Sequence, residues 1–169
     1  MEATTYWVNG SWRGRLDIVP RPRGGDWLED EVRAWKAAGL DVIVSLLEQE
    51  EAEELEITSE ADACRANGIE FITHPIGDRA VPSSPRAFAD LVRALEEKLA
   101  AGKGVGVHCR QAVGRSSLLA ACLLIAAGVD PDSAWARIAA ARGRPVPDTT
   151  EQREWAARFG REFLANSVK

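Results

Sequence analysis

The stretch from Val105 to Ala127 constrains the architecture of this chain more than any other part of it. A short valine-rich run leads into a polar loop, and the loop opens a segment that is apolar nearly all round. Val105-Gly106-Val107 reads as a buried strand, and Leu118 to Ala127 as a central helix, because it has no polar face to turn to water. Between them lies His108-Cys109-Arg110-Gln111-Ala112-Val113-Gly114-Arg115-Ser116-Ser117. A loop entering a helix N-terminus presents unpaired backbone N–H groups and the positive end of the helix dipole, which together bind a phosphate-sized anion. A cysteine at its base gains a stabilised thiolate, with a pKa below the ~8.5 of a free thiol. An arginine at its far end offers a planar fork for two anion oxygens.

Length and composition predict a single domain over residues 1–169, large enough for its own core. Hydrophobic residues at 46% and charged residues at 28% fit an ordinary globular mixture. No apolar run reaches membrane-spanning length, and Met-Glu-Ala-Thr-Thr lacks the features of a secretory signal, so a cytoplasmic monomer without a membrane partner is expected. The odd count of three cysteines argues against a disulfide framework. His74 and His108 are the only histidines and no Cys-x-x-Cys pair exists, so neither a metal nor any other cofactor is expected. A net charge of −5 argues against a nucleic-acid partner. Seven glutamates between Glu48 and Glu60 carry much of that excess and read as a solvated helix face or adjoining loop.

Strands alternating with helices predict an α/β fold with a mostly parallel central sheet flanked by helices. Tyr6-Trp-Val and Ser11-Trp-Arg around Asn9-Gly10 read as an N-terminal hairpin, with Arg15 to Val19 as a second strand candidate. Asp26 is the expected N-cap of a helix over Trp27–Ala38. Val42–Leu47 and Ile69–Thr73 read as strands, separated by a helical region over 50–67 that breaks near Ile57-Thr58. Helices follow over Pro85–Ala100 (capped by Ser84), Ser116–Ala127, Asp130–Ala141 and Thr150–Ala165. The site is expected beyond the carboxyl ends of the strands, where Cys109 falls.

Cys-(five residues)-Arg, preceded by His and followed by Ser, resembles the signature of the cysteine-dependent protein tyrosine phosphatases, in particular the small dual-specificity type. The resemblance spans most of the chain from about Trp27 onward. It implies a phosphatase-like fold and metal-independent cleavage of a phosphomonoester, on a phosphorylated protein or a small molecule, through a phosphocysteine on Cys109. The backbone N–H groups of Arg110, Gln111, Ala112, Val113 and Gly114, with the Arg115 guanidinium, would hold the equatorial oxygens. His108 would sit behind the loop and orient it, and Ser116 would donate to the departing sulfur. Pro75-Ile-Gly-Asp78-Arg-Ala-Val-Pro82 resembles the general-acid loop of that family, so Asp78 would protonate the leaving oxygen and then serve as base for water.

Other positions carry less. Asp148-Thr-Thr-Glu-Gln152 resembles the segment in which the family's classical members place a water-positioning glutamine. Two registers stay open: Gln152 is a candidate for that role, or the first glutamine of the pattern falls on Asp148 with Gln152 as the second, and Asp148 also reads as the N-cap of the last helix. Arg79, Arg110, Arg21 and Arg23 are candidates for the pocket rim. Cys122 reads as core, while Cys64 is a candidate disulfide partner for oxidised Cys109. Ala112 stands where the family usually has glycine, and a positive φ there would cost on the order of 1 kcal/mol. Two alternatives stay open: a catalytically weak phosphate-binding module, and the same chemistry on a phosphoinositide or nucleotide. Arg110 lacks the second basic partner in the loop, at Val113, that lipid-directed relatives tend to carry.

Overall fold

In the computed structural model, residues 1–164 are described. Five strands form one sheet in the order β1-β2-β5-β3-β4: β1 Tyr6–Val8, β2 Arg15–Ile18, β5 Gly104–His108, β3 Val42–Ser45 and β4 Glu70–Thr73. The β2–β5, β5–β3 and β3–β4 pairs are parallel, and only β1 runs antiparallel, against β2. The mostly parallel sheet expected from the alternation of elements is therefore present. Its helices are α1 Leu28–Ala37, α2 Gln49–Glu54, α3 Glu60–Ala66, α4 Pro85–Ala100, α5 Arg115–Ala126, α6 Pro131–Arg142 and α7 Thr150–Phe159.

The sheet is covered on both faces, and its central strands β3 and β5 are buried at every position. Val42 and Val44 face one core with α4, α5, α6 and α7, whereas Ile43 faces a second core built with α1 and α3. Helix α5 is buried from Arg115 through Leu124, which explains its lack of a polar face. Truncating a leucine there, such as Leu119→Ala, would cost about 2–5 kcal/mol through lost transfer energy and a cavity. Helix α4 starts as expected: Pro85 follows Ser84, whose Oγ accepts the Ala87 N–H at 3.1 Å. The 50–67 region does break, into α2 and α3, between Leu55 and Ser59.

Three local expectations are corrected. The hairpin does not close at Asn9-Gly10. Tyr6, Trp7 and Val8 pair with Ile18, Asp17 and Leu16, while Trp12 packs against the main core instead of extending a strand. Asp26 is not a helix cap, because it lies in a 3₁₀ turn over Gly25–Trp27 that leads into α1 without a side-chain cap. Asp148 does not cap the last helix either. That place belongs to Thr149, whose Oγ1 accepts the Gln152 N–H at 3.1 Å. The last helix itself is α7 followed by a π-helical turn, Gly160–Leu164, and the expected end at Ala165 lies outside the described residues.

The sheet positions the site through its carboxyl edge. Ile18, Val44 and Val107 lie level, and Ser45 is level with His108. Past the strands the ladder continues into the loops: Leu46 N–H donates to His108 O at 3.0 Å, His74 N–H to Ser45 O at 2.9 Å, and Ile76 N–H to Leu46 O at 3.0 Å. Three loops therefore leave one edge already bonded to one another, which brings residues 46–48, 74–78 and 109–114 side by side.

Candidate active site

Cys109 is the first residue after β5 and is 2% exposed. The chain then turns through Arg110–Gly114 into the first turn of α5, whose amides, with Gly114 as an N-cap lacking a side-chain bond, point toward the loop. Asp78, Arg79, Cys109, Gln111, Gly114, Arg115 and Asp148 line one small cleft at this point. Ala112 has φ +58°, the left-handed conformation in which a Cβ is disfavoured, so the expected strain at this position is present. Its carbonyl is held from behind, where Arg142 Nε on α6 donates to Ala112 O at 2.7 Å. Val113 is buried beside it in the main core. Gly114 has an ordinary φ of −83°, and a Cβ there would lie 2.3 Å from Asp148 Oδ2, which would have to shift.

Arg115 is 2% exposed, and both of its terminal nitrogens are bonded. Its Nη1 donates to Glu51 Oε1 at 2.6 Å and to Ile76 O at 2.8 Å, and its Nη2 to Glu51 Oε2 at 2.9 Å and Asp78 Oδ1 at 3.2 Å. A paired carboxylate holds the fork in one plane before any anion arrives. Burial alone would raise the Glu51 carboxyl, but hydrogen bonds from Arg115 and the Glu48 amide, with the charges of Arg115 and Arg110, hold it below the usual carboxylate range. Burial likewise opposes charge on Arg115. The hydrogen bond to Glu51 and the charges of Cys109, Glu51 and Asp78 outweigh it and keep the guanidinium firmly protonated.

His108 is wholly buried behind the loop. Its Nε2 lies 2.6 Å from Glu60 Oε2 and its Nδ1 3.4 Å from Cys109 O, so both ring nitrogens face oxygen acceptors, and the Trp35 ring lies 6.0 Å away. Glu51 and Glu60 correct the reading of the glutamate run as a solvated face, being 8% and 3% exposed. Nothing in the one-dimensional pattern separates them from their exposed neighbours. Each is buried because a cation or imidazole of the site reaches it across the fold.

The remaining candidates fall as follows. Gln111 and Arg79 line the cleft. Arg110 turns from it to Glu54 at 3.0 Å, with Glu51 at 3.9 Å. Arg21 and Arg23 are elsewhere, bonded to Pro22 O and Glu31. Gln152 is fully buried, its Oε1 accepting the Asp148 and Thr149 N–H groups and its Nε2 donating to Ala80 O at 3.0 Å. It ties the loop after Asp78 to the start of α7. The Ser116 and Ser117 hydroxyls are buried without a partner among the described residues. All three cysteines are free thiols, and Cys122 is core. Among the described residues, no helix is long and apolar enough to cross a membrane, and no cluster of His, Cys, Asp and Glu could hold a metal ion.

The fold is shared with solved phosphatases. The kinase-associated phosphatase KAP, with its catalytic cysteine changed to serine, superposes with a TM-score of 0.87 at 22% identity, covering 98% of this chain and 97% of that one. Tk-PTP in its active form gives 0.78 at 24%, covering 96% and 100%. PTPMT1 gives 0.78 at 20%, covering 98% and 99%. At these identities the likeness establishes the fold, that of the protein tyrosine phosphatases. No curated protein matches the chain. The family described as "Polymorphic toxin system, DSP-PTPase phosphatase" matches residues 19–129, which contain the whole loop from His108 to Ser117 and the Asp78 segment, and the chain belongs to that family.

Proposed function

We propose that the chain, acting as one catalytic domain, hydrolyses phosphomonoesters by a metal-independent route through a phosphocysteine on Cys109. Phosphotyrosine is the preferred substrate, and phosphoserine and phosphothreonine are further ones. The observation that carries this reading is the convergence on one cleft of Cys109, the Arg115 fork and the Asp78 carboxyl, on a loop that opens a buried helix. In the first step the Cys109 sulfur attacks phosphorus and the ester oxygen leaves with a proton from Asp78. Loop amides from Arg110 to Arg115 and the guanidinium hold the three equatorial oxygens throughout. His108 positions the loop from behind through the Cys109 carbonyl, and the unpartnered Ser116 hydroxyl is available to donate to the leaving sulfur.

The engagement of Arg110 by Glu54 and Glu51 favours a substrate with a single phosphate. A second basic group free to take another phosphate would favour an inositol lipid such as the PI(5)P bound by PTPMT1. The strained Ala112 favours the other reading, a phosphate-binding module with little turnover. One assay separates them: hydrolysis of para-nitrophenyl phosphate in mildly acidic buffer with excess EDTA, wild type beside Cys109→Ser. Turnover lost in the variant supports the enzyme. Phosphate or vanadate binding without wild-type turnover supports the binding module.

A further inference from the structure

The cleft holds a second carboxylate that no structural duty accounts for. Asp148 lines it together with Asp78, and the helix-capping duty that would explain an aspartate before α7 is filled by Thr149. Its one ionic neighbour among the described residues, Arg79 Nη1, stands 4.0 Å from Oδ1 and is 63% exposed, a pairing worth little. Among the described residues Oδ2 makes no hydrogen bond. It lies against Gly114, where the missing side chain makes room for it, since a Cβ would stand 2.3 Å away. Its backbone is fixed as well, because Asp148 N–H donates to the buried Gln152 Oε1 at 3.1 Å. The two carboxylates differ in how they are held, since Asp78 Oδ1 is taken by Arg115 at 3.2 Å. A fixed carboxylate on the wall of an anion cradle repels the dianion the cradle binds, a cost that needs a chemical return.

We propose that Asp148 is a second catalytic residue, the general base for hydrolysis of the phosphocysteine, with Asp78 acting as the acid of the first step. This rests on the phosphatase reading above and divides its two proton transfers between two side chains. In the second step a water oxygen forms a bond to phosphorus as the S–P bond breaks. The electron pair of that bond returns to Cys109 as thiolate, and the water proton passes to an Asp148 oxygen, leaving inorganic phosphate and a neutral Asp148. Bulk water then takes the proton. Such a placement calls for an oxygen in hydrogen-bond reach of the incoming water, and the unpartnered Oδ2 on the cleft wall supplies one.

The test is pre-steady-state hydrolysis of para-nitrophenyl phosphate by wild type, Asp148→Asn, Asp148→Glu, Arg79→Ala and Cys109→Ser. Asp148→Asn is isosteric and keeps the backbone bond to Gln152. It should keep a rapid burst of nitrophenol close to one per enzyme, lose about 100-fold in kcat, and accumulate phosphoenzyme on acid quench. Asp148→Glu should recover part of kcat, and Arg79→Ala should accumulate no phosphoenzyme. A kcat for Asp148→Asn within about twofold of wild type, or loss of its burst together with turnover, overturns the assignment. So does the same accumulation in Arg79→Ala, which would reduce Asp148 to an ion-pair partner. Wild type as inactive as Cys109→Ser would instead sink the underlying phosphatase reading, so the two failures are distinguishable.

Discussion

Glu51 binds both terminal nitrogens of Arg115, at 2.6 and 2.9 Å, from a helix more than sixty residues away in sequence. The carboxylate is the principal anchor of the guanidinium, since Asp78, the other acid touching it, is 61% exposed and sits on a turn. Removing Glu51 leaves a buried cation with one weak partner and a carbonyl. Glu51→Ala should therefore cost about 3–5 kcal/mol in urea unfolding. It should also raise the KM for an aryl phosphate more than it lowers kcat, because the fork must then be ordered by the substrate itself.

The same pair sets an acid limit on stability. The folded-state pKa of Glu51 lies below its unfolded value, so its contribution is fully present above the unfolded carboxylate value of roughly 4.3. It is lost as pH falls from there through the lower folded value. The stability gap between wild type and Glu51→Gln should stay constant from neutral pH down to about pH 5, then narrow on further acidification. Urea titrations at several pH values measure it, and a gap that widens in acid contradicts the assignment.

Ala112 provides a test of strain. Its φ of +58° costs an alanine about 1–2 kcal/mol relative to a right-handed conformation, whereas glycine adds about 0.5–1 kcal/mol of unfolded-state entropy. The first effect is the larger, so Ala112→Gly should raise the melting temperature slightly and should not reduce phosphate affinity. A clear loss of stability would show that burial of the Ala112 methyl in the core outweighs the backbone strain.

Glu60→Ala strips the buried His108 of its only side-chain hydrogen-bond partner among the described residues. The expected loss is about 1–3 kcal/mol, read as a lowered urea midpoint with an unchanged m-value, and Glu60→Gln should recover part of it. Cys64, four residues along α3, behaves differently. Burial, then the Glu60 charge, push its thiol up to about 12, with Arg65 opposing. Iodoacetamide at pH 8 should therefore leave Cys64 unmodified in the folded protein and label it once urea has unfolded the chain, with peptide mass spectrometry as the readout.

The strand–loop–helix around Cys109 was legible because local signals agreed there: a β-branched run, a polar loop and a helix with no wet face. Ser84 before Pro85 marked a helix start for the same reason, and the structure keeps it. The failures share one cause, which is tertiary packing. Trp12 packs against the core instead of completing a hairpin. Glu51 and Glu60 resemble their exposed neighbours until Arg115 and His108 reach them. Asp148 looked like a cap because Asp and Thr compete for that role at adjacent positions, and the structure gives it to Thr149, in a capping box with Gln152.

The most direct measurement is mass spectrometry of the protein acid-quenched during turnover of an aryl phosphate, for wild type and Cys109→Ser. A phosphoryl group on the peptide carrying Cys109 in the wild type, absent in the variant, is the predicted result. Steady turnover with no adduct at Cys109, or turnover that survives in Cys109→Ser, would contradict the phosphocysteine route.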